Sequence, residues 1–176
     1  MGHREHHHQA GKTPVQVRLA VVSTTRTEKT DTSGAVLQER LEAAGHRVSG
    51  LDFLPDDPDR VRAWVLEAVQ GGLDQALVLS GGTGISARDG TFEAVAALID
   101  TPLPGFGELF RMLSFQEIGA AAMLSRASAG ICQGVVLFSV PGSTAACRLA
   151  VDSLIGPELS HLVWELSKEA ASGPVG

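Results

Sequence analysis

Apolar runs of strand length alternate along the chain with segments whose apolar residues recur at helical spacing. VQVRLAVV, residues 15–22, is β-branched and apolar, which predicts a buried strand. Polar STTRTEKTDTSG follows. Leu37 and Leu41 share one face of a helix predicted over about 34–44, with Gly45 where a terminating glycine is favoured. Residues 46–54 read as a second strand, stopped by Pro55, Asp56 and Asp57. Asp57 is placed to cap a helix opened by Pro58. Val61, Trp64, Val65 and Ala68 form its apolar stripe, and Gly71 and Gly72 end it. DQALVLS, residues 74–80, predicts a third strand that delivers the chain into SGGTGISARDG. Thr91 is expected to cap the next helix, with Phe92, Val95 and Ile99 on its buried side.

TPLPGFGELF predicts a Pro/Gly-rich connection into a short helix over about 108–113. ASAGICQGVVLFSV reads as a hairpin turning at Gln133–Gly134. In PGST, Ser143 or Thr144 is placed to cap a helix reaching about Leu154. Pro157 opens a last helix with Leu159, Leu162, Val163 and Leu166 at helical spacing. Alternating strands and helices predict an α/β fold with a mostly parallel sheet covered on both faces, made mixed by the β-hairpin. There is no internal repeat or linker. The reading is one domain, 15–172, behind a His-containing tail, 1–14. The unusual loops follow strands, and in open α/β sheets those strand ends form the ligand crevice.

Composition narrows the classes. The 176 residues suffice for one sizeable core, and 44% hydrophobic with 19% charged suits a compact domain. A net charge of −6 argues against a general grip on nucleic acid. No apolar run approaches the ~20 residues of a membrane span. No signal-peptide pattern precedes the domain, so a cytoplasmic protein is expected. Cys132 and Cys147 form no CxxC pair and read as buried, reduced thiols. His3, His6, His7 and His8 read as a solvated tail rather than a metal site.

Candidate chemistry concentrates in Ser80, Gly81, Gly82, Thr83 and Gly84, leaving the third strand. Three glycines let a backbone approach a ligand without Cβ collisions, and successive N–H groups can converge on an anion. Ser80 and Thr83 add hydroxyls. A plain tight turn is the alternative. A P-loop is excluded because Ile85, not Lys, follows Gly84. Gly82-x-Gly84-x-x-Ala87 matches the dinucleotide fingerprint formally, and Asp100 lies near the expected distance. No second strand is predicted before Asp100, so that reading is rejected. Asp89 shares the loop, and Asp56 ends the preceding strand. Carboxylates beside a phosphate cradle suggest Mg²⁺, against the alternative of helix capping. Ser125 and Arg126, and the Pro141–Gly142–Ser143 turn at a helix start, fit the same crevice as phosphate contacts. For Arg126 and Arg148 a surface or interface role is the alternative, and the residues alone slightly favour it.

In this order, LVLSGGTGISARDGTFEAV, PLPGFGELFRMLSFQEIG, SRASAG and VPGSTAACR resemble the MoaB/MogA family of molybdenum-cofactor proteins, with similar domains in gephyrin-type proteins and CinA. The likeness covers about 15–166. TRT…DTSG and PDD lean toward MoaB. The resemblance implies a three-layer αβα sandwich that assembles as a homotrimer or homohexamer. It implies molybdopterin as ligand and, in active members, ATP and Mg²⁺ as partners in an adenylyltransferase reaction giving molybdopterin-AMP. The family's functional aspartates, catalytic and metal-binding, match Asp56 and Asp89. Its glycine loop matches Gly81, Gly82, Thr83 and Gly84, and its later contacts match Ser125, Arg126, Pro141, Gly142 and Ser143. A molybdopterin-binding protein without turnover and, behind it, a CinA-like nucleotide hydrolase are the alternatives. The sequence departs from the family at Gly90, where Val is frequent, at Phe92, where Pro is frequent, and at Thr24, where many MoaB proteins carry Asp. Gly90 and Phe92 predict a looser Asp89 turn.

Overall fold

The computed structural model describes residues 13–24, 30–86 and 89–172. In chain order the elements are β1 (Gln16–Val22), α1 (Ser33–Ala43), β2 (Arg47–Leu54), α2 (Pro58–Gly71), β3 (Ala76–Ser80) and α3 (Thr91–Ala96). There follow β4 (Thr101–Pro102), α4 (Pro104–Ile118), a 3₁₀ helix (Gly119–Leu124) and the hairpin β5 (Ser128–Cys132) and β6 (Val135–Val140). The chain closes with α5 (Thr144–Ala150), a π turn (Val151–Ile155) and α6 (Gly156–Ser172).

The six strands form one sheet in the order β2-β1-β3-β6-β5-β4. Neighbours among the first four are parallel, and the β5–β6 and β4–β5 pairs are antiparallel. Strand periodicity explains the three layers, because alternate residues point to opposite faces. Val17 and Leu19, Val78, and Val136 and Phe138 face one core with Leu37 and Leu41 of α1, Phe110 of α4 and Cys147 of α5. Ala20 and Val22, Leu77 and Leu79, and Leu137 face the other with Val61, Trp64 and Val65 of α2 and Ala94 and Val95 of α3. The mixed three-layer αβα sandwich is therefore the observed fold. Helices leave β1 and β2 toward opposite faces, so a switch point falls between β1 and β3, and a crevice opens at their carboxyl ends.

Several local signals act as expected. Gly45 and Gly72 take the left-handed backbone at the ends of α1 and α2, and Asp57 accepts from the amides of Asp59 and Arg60. Gln133 (φ 48°) and Gly134 (φ 84°) make the hairpin turn, and Ser143 caps α5 through the Ala146 amide. Both cysteines are free and buried.

Four expectations need correction. Thr91 is not a cap: Gly90 holds that position, and Thr91 Oγ1 is buried without a hydrogen-bond partner. The short helix expected at 108–113 runs from Pro104 to Ile118, since Pro suits a first turn and the interior glycines at 105 and 107 cost too little to stop it. A two-residue strand, β4, does precede it. It lies at the sheet edge, antiparallel to β5, and Asp100 beside it accepts from the Gln133 amide at 2.7 Å, so it does not rebuild a dinucleotide site. The helices expected on either side of Pro157 join through the π turn. The tail expected over 1–14 lies outside the described residues except for Thr13 and Pro14, and Ser160 Oγ donates to Thr13 O at 2.9 Å.

Candidate functional site

The crevice is a cleft of about 540 Å³. Val22, Ser23 and Thr24 reach it from the end of β1, Asp56 from β2, Gly81 to Gly84 from β3, and Pro141 to Ser143 from β6. One wall comes from α4 and the 3₁₀ helix: Phe110, Ser114, Ile118, Ala121 and Leu124.

The glycine turn requires its glycines. Gly81 (φ 106°) and Gly82 (φ 64°) lie in the left-handed region, where a side chain is strained. A Cβ on Gly81 would overlap Val22 O, and one on Gly82 would overlap Thr91 Oγ1 and lie 2.8 Å from Asp56 Oδ1. The carbonyls of this turn are engaged. Gly82 O accepts from Thr91 N at 3.1 Å and Thr83 O from Arg126 Nε at 3.2 Å; Gly84 O accepts from the Arg126 guanidinium. The amides of Gly82, Thr83, Gly84 and Ile85 donate to no group among the described residues. Buried amides are almost always paired, and Thr83 is buried, so its amide in particular is a donor that an anion can satisfy.

The two candidate carboxylates flank the turn. Asp56 Oδ1 accepts from Gly90 N at 3.4 Å, and Asp89 Oδ2 accepts from Ser86 N at 3.0 Å. A Cβ on Gly84 would lie 2.7 Å from Asp89 Oδ2, just as one on Gly82 would approach Asp56. Burial pushes the Asp56 carboxyl above its ordinary value. The Gly90 hydrogen bond opposes that rise, and the charge of Asp89 adds to it. A cation between the two would relieve both burdens. No cluster of three or more His, Cys, Asp or Glu occurs among the described residues, but Mg²⁺ characteristically binds one or two carboxylates, keeps several waters and takes phosphate oxygens. The donor set fits that ion.

Gly90 and Phe92, where a looser Asp89 turn is expected, each have a tertiary partner. A Cβ at Gly90 would overlap Pro58 Cγ, so glycine lets the turn seat on α2. Phe92 lies beneath the Arg126 guanidinium, 4.9 Å from ring centroid to Cζ. Two predicted contacts are placed differently from expectation. Ser80 is fully buried with Oγ 3.3 Å from Cys147 Sγ, and it does not line the cleft. Arg126 turns its guanidinium to the back of the glycine turn and to Glu93, into a neighbouring cavity rather than the cleft. Ser125, Pro141, Gly142 and Ser143 do line the cleft. The α4 wall escaped the sequence reading, although Phe110, Ser114 and Ile118 recur every four residues and mark one helical face.

Fold and cleft together define an open α/β domain with a glycine turn and an acidic pair at a switch point. The chain belongs to the family described as "Probable molybdopterin binding domain", which matches residues 18–161. It is 46% identical to molybdenum cofactor biosynthesis protein B of Halalkalibacterium halodurans, over 96% of this chain and 99% of that protein. A crystal structure of a molybdenum cofactor biosynthesis protein B is similar at TM-score 0.87 and 45% identity, over 90% of this chain and 99% of that one. The tungsten cofactor synthesizing protein MoaB from Pyrococcus furiosus is similar at TM-score 0.78 and 34% identity, over 88% and 98%.

Proposed function

We propose that this protein acts in molybdenum cofactor biosynthesis, where its cleft binds molybdopterin and adenylylates it with ATP. The carrying observation is the run of unengaged amides lining the cleft, Gly82 to Gly84, between Asp56 and Asp89. A terminal phosphate oxygen of molybdopterin attacks the α-phosphorus of ATP. A new P–O bond forms as the α–β bridging bond breaks, and pyrophosphate leaves. That phosphate is already ionised at neutral pH, so no general base is required. Alignment of two polyanions and stabilisation of their charge are required instead. The amides of the glycine turn supply fixed donors for that charge. Asp56 and Asp89 would hold Mg²⁺, which neutralises polyphosphate charge when bound. Ser125, Pro141, Gly142 and Ser143 would flank molybdopterin opposite the turn, and Phe110 and Ile118 give its ring system an apolar wall.

Asp89→Asn is the test. It removes a metal ligand and keeps the shape, so molybdopterin binding persists while formation of the AMP adduct from Mg-ATP falls by at least ~100-fold. Undiminished turnover would refute the role. A second reading, a molybdopterin-binding protein without turnover, is favoured by Thr24. It lines the cleft where many MoaB proteins carry Asp, leaving two carboxylates there among the described residues. Measurable molybdopterin affinity with no pyrophosphate release from the wild type selects that reading.

A further inference from the structure

Arg126 invites the reading of a phosphate ligand, yet its donors point elsewhere. Nε donates to Thr83 O, one terminal nitrogen to Gly84 O and, at 2.9 Å, to Asp89 O, and the other to Glu93 Oε1. Four of the five N–H groups of a guanidinium are thereby committed. The plane rests over Phe92, and the ion pair with Glu93 lowers that carboxyl below its ordinary value.

In a trans peptide the C=O and the following N–H point in opposite directions. No cis bond occurs here. Holding Thr83 O on the Arg126 side therefore directs Gly84 N–H away from Arg126, and Gly84 lines the cleft. The Asp89–Gly90 peptide shows the same relay completed: Arg126 holds its carbonyl, and its N–H reaches Asp56 Oδ1. One side chain thus anchors three carbonyls, and the amides that follow two of them, Gly84 N and Gly90 N, belong to a residue lining the cleft and to a bond with its carboxylate. We propose that Arg126, oriented by Glu93 and Phe92, is a positioning residue: it aims the amides of the glycine turn and the Asp89–Gly90 peptide at the bound phosphate without touching the ligand. This inference rests on the phosphate-cradle reading of the same cleft.

Calorimetric binding of inorganic pyrophosphate with Mg²⁺, together with amide resonances of the ligand-free protein, tests it. Arg126→Lys and Arg126→Gln should weaken binding alike, by about tenfold or more, because an ammonium cannot span the three carbonyls. Both should shift the Gly84 and Gly90 amide resonances before any ligand is added. Glu93→Gln, at an exposed position outside the cleft, should weaken binding by about two- to fivefold and keeps the test open if the Arg126 variants do not fold. Wild-type affinity in Arg126→Lys with loss only in Arg126→Gln would mean a direct charge contact and overturn the proposal. Unchanged affinity in both, or in Glu93→Gln, would overturn it as well. Absence of pyrophosphate binding by the wild type would instead sink the cradle reading, and the clamp with it.

Discussion

Asp56 and Asp57 are adjacent, chemically identical and opposite in what they do. Asp57 is exposed and spends its carboxylate on the amides of Asp59 and Arg60. Asp56 is half-buried, faces Asp89, and carries a raised carboxyl pKa whose first cause is burial. A carboxyl raised on folding stabilises the fold fully only below its ordinary value, about 4, and loses that contribution as pH rises through the raised value. At neutral pH the ionised Asp56 is therefore a standing cost to the fold. Asp56→Asn keeps an acceptor for Gly90 N and removes the charge. Its melting temperature should exceed the wild type's near neutral pH, and the gap should close as pH falls below about 4. A variant that melts lower at neutral pH would contradict this. Mg²⁺ should raise the wild-type value and leave the variant's unmoved. Sequence could mark both aspartates at the end of a strand. It could not assign their roles, because those depend on which backbone amides and which second carboxylate fold beside each.

At the scale of elements, the legible signals were those whose cause is local. Pro58 with Asp57, Gly45 and Gln133–Gly134 act through their own backbone and neighbours, and each lies where the pattern placed it. What failed needed tertiary context. Two glycines in PGFGELFR suggested a loop, yet α4 runs through them, because Phe110 is fully buried against β5 and β6 and packing outweighs propensity. Thr91 looked like a cap, but the tie from Thr91 N to Gly82 O carries the turn across to β3 and leaves Gly90 in that position. Arg126 read as a ligand because its partners are carbonyls, which no sequence displays. The local cap gives a clean expectation: Asp57→Ala should cost about 1 kcal/mol, since two first-turn amides lose their acceptor, or ~2–4 °C in melting temperature for a domain of this size. Calorimetric melting of the two variants should separate the neighbours by sign, with Asp57→Ala falling and Asp56→Asn rising. Pyrophosphate affinity of Asp57→Ala should stay at the wild-type value.

Across the whole molecule, apolar side chains are exposed along one region. Met112, Phe115 (60% exposed) and Ile118 of α4 continue into Met123 (77%) and Leu124 of the 3₁₀ helix. A contiguous apolar surface is costly in water and marks an interaction site. The resemblance implies a trimer or hexamer, which predicts another copy of the chain as its occupant. Ile118 and Leu124 also line the cleft, so a copy seated there would close the cleft's outer wall and exclude water from a bound phosphate. Phe115→Asp places a charge on this surface without touching the core, so the protomer should keep its melting cooperativity while light scattering after gel filtration shows a monomer in place of the wild-type assembly. Because the wall would then stand open, molybdopterin affinity should fall with it, although Phe115 itself does not line the cleft. A wild type that is monomeric at micromolar concentration, or a monomeric variant that binds as tightly as the assembly, would separate the apolar surface from the site and leave the cleft complete within one chain.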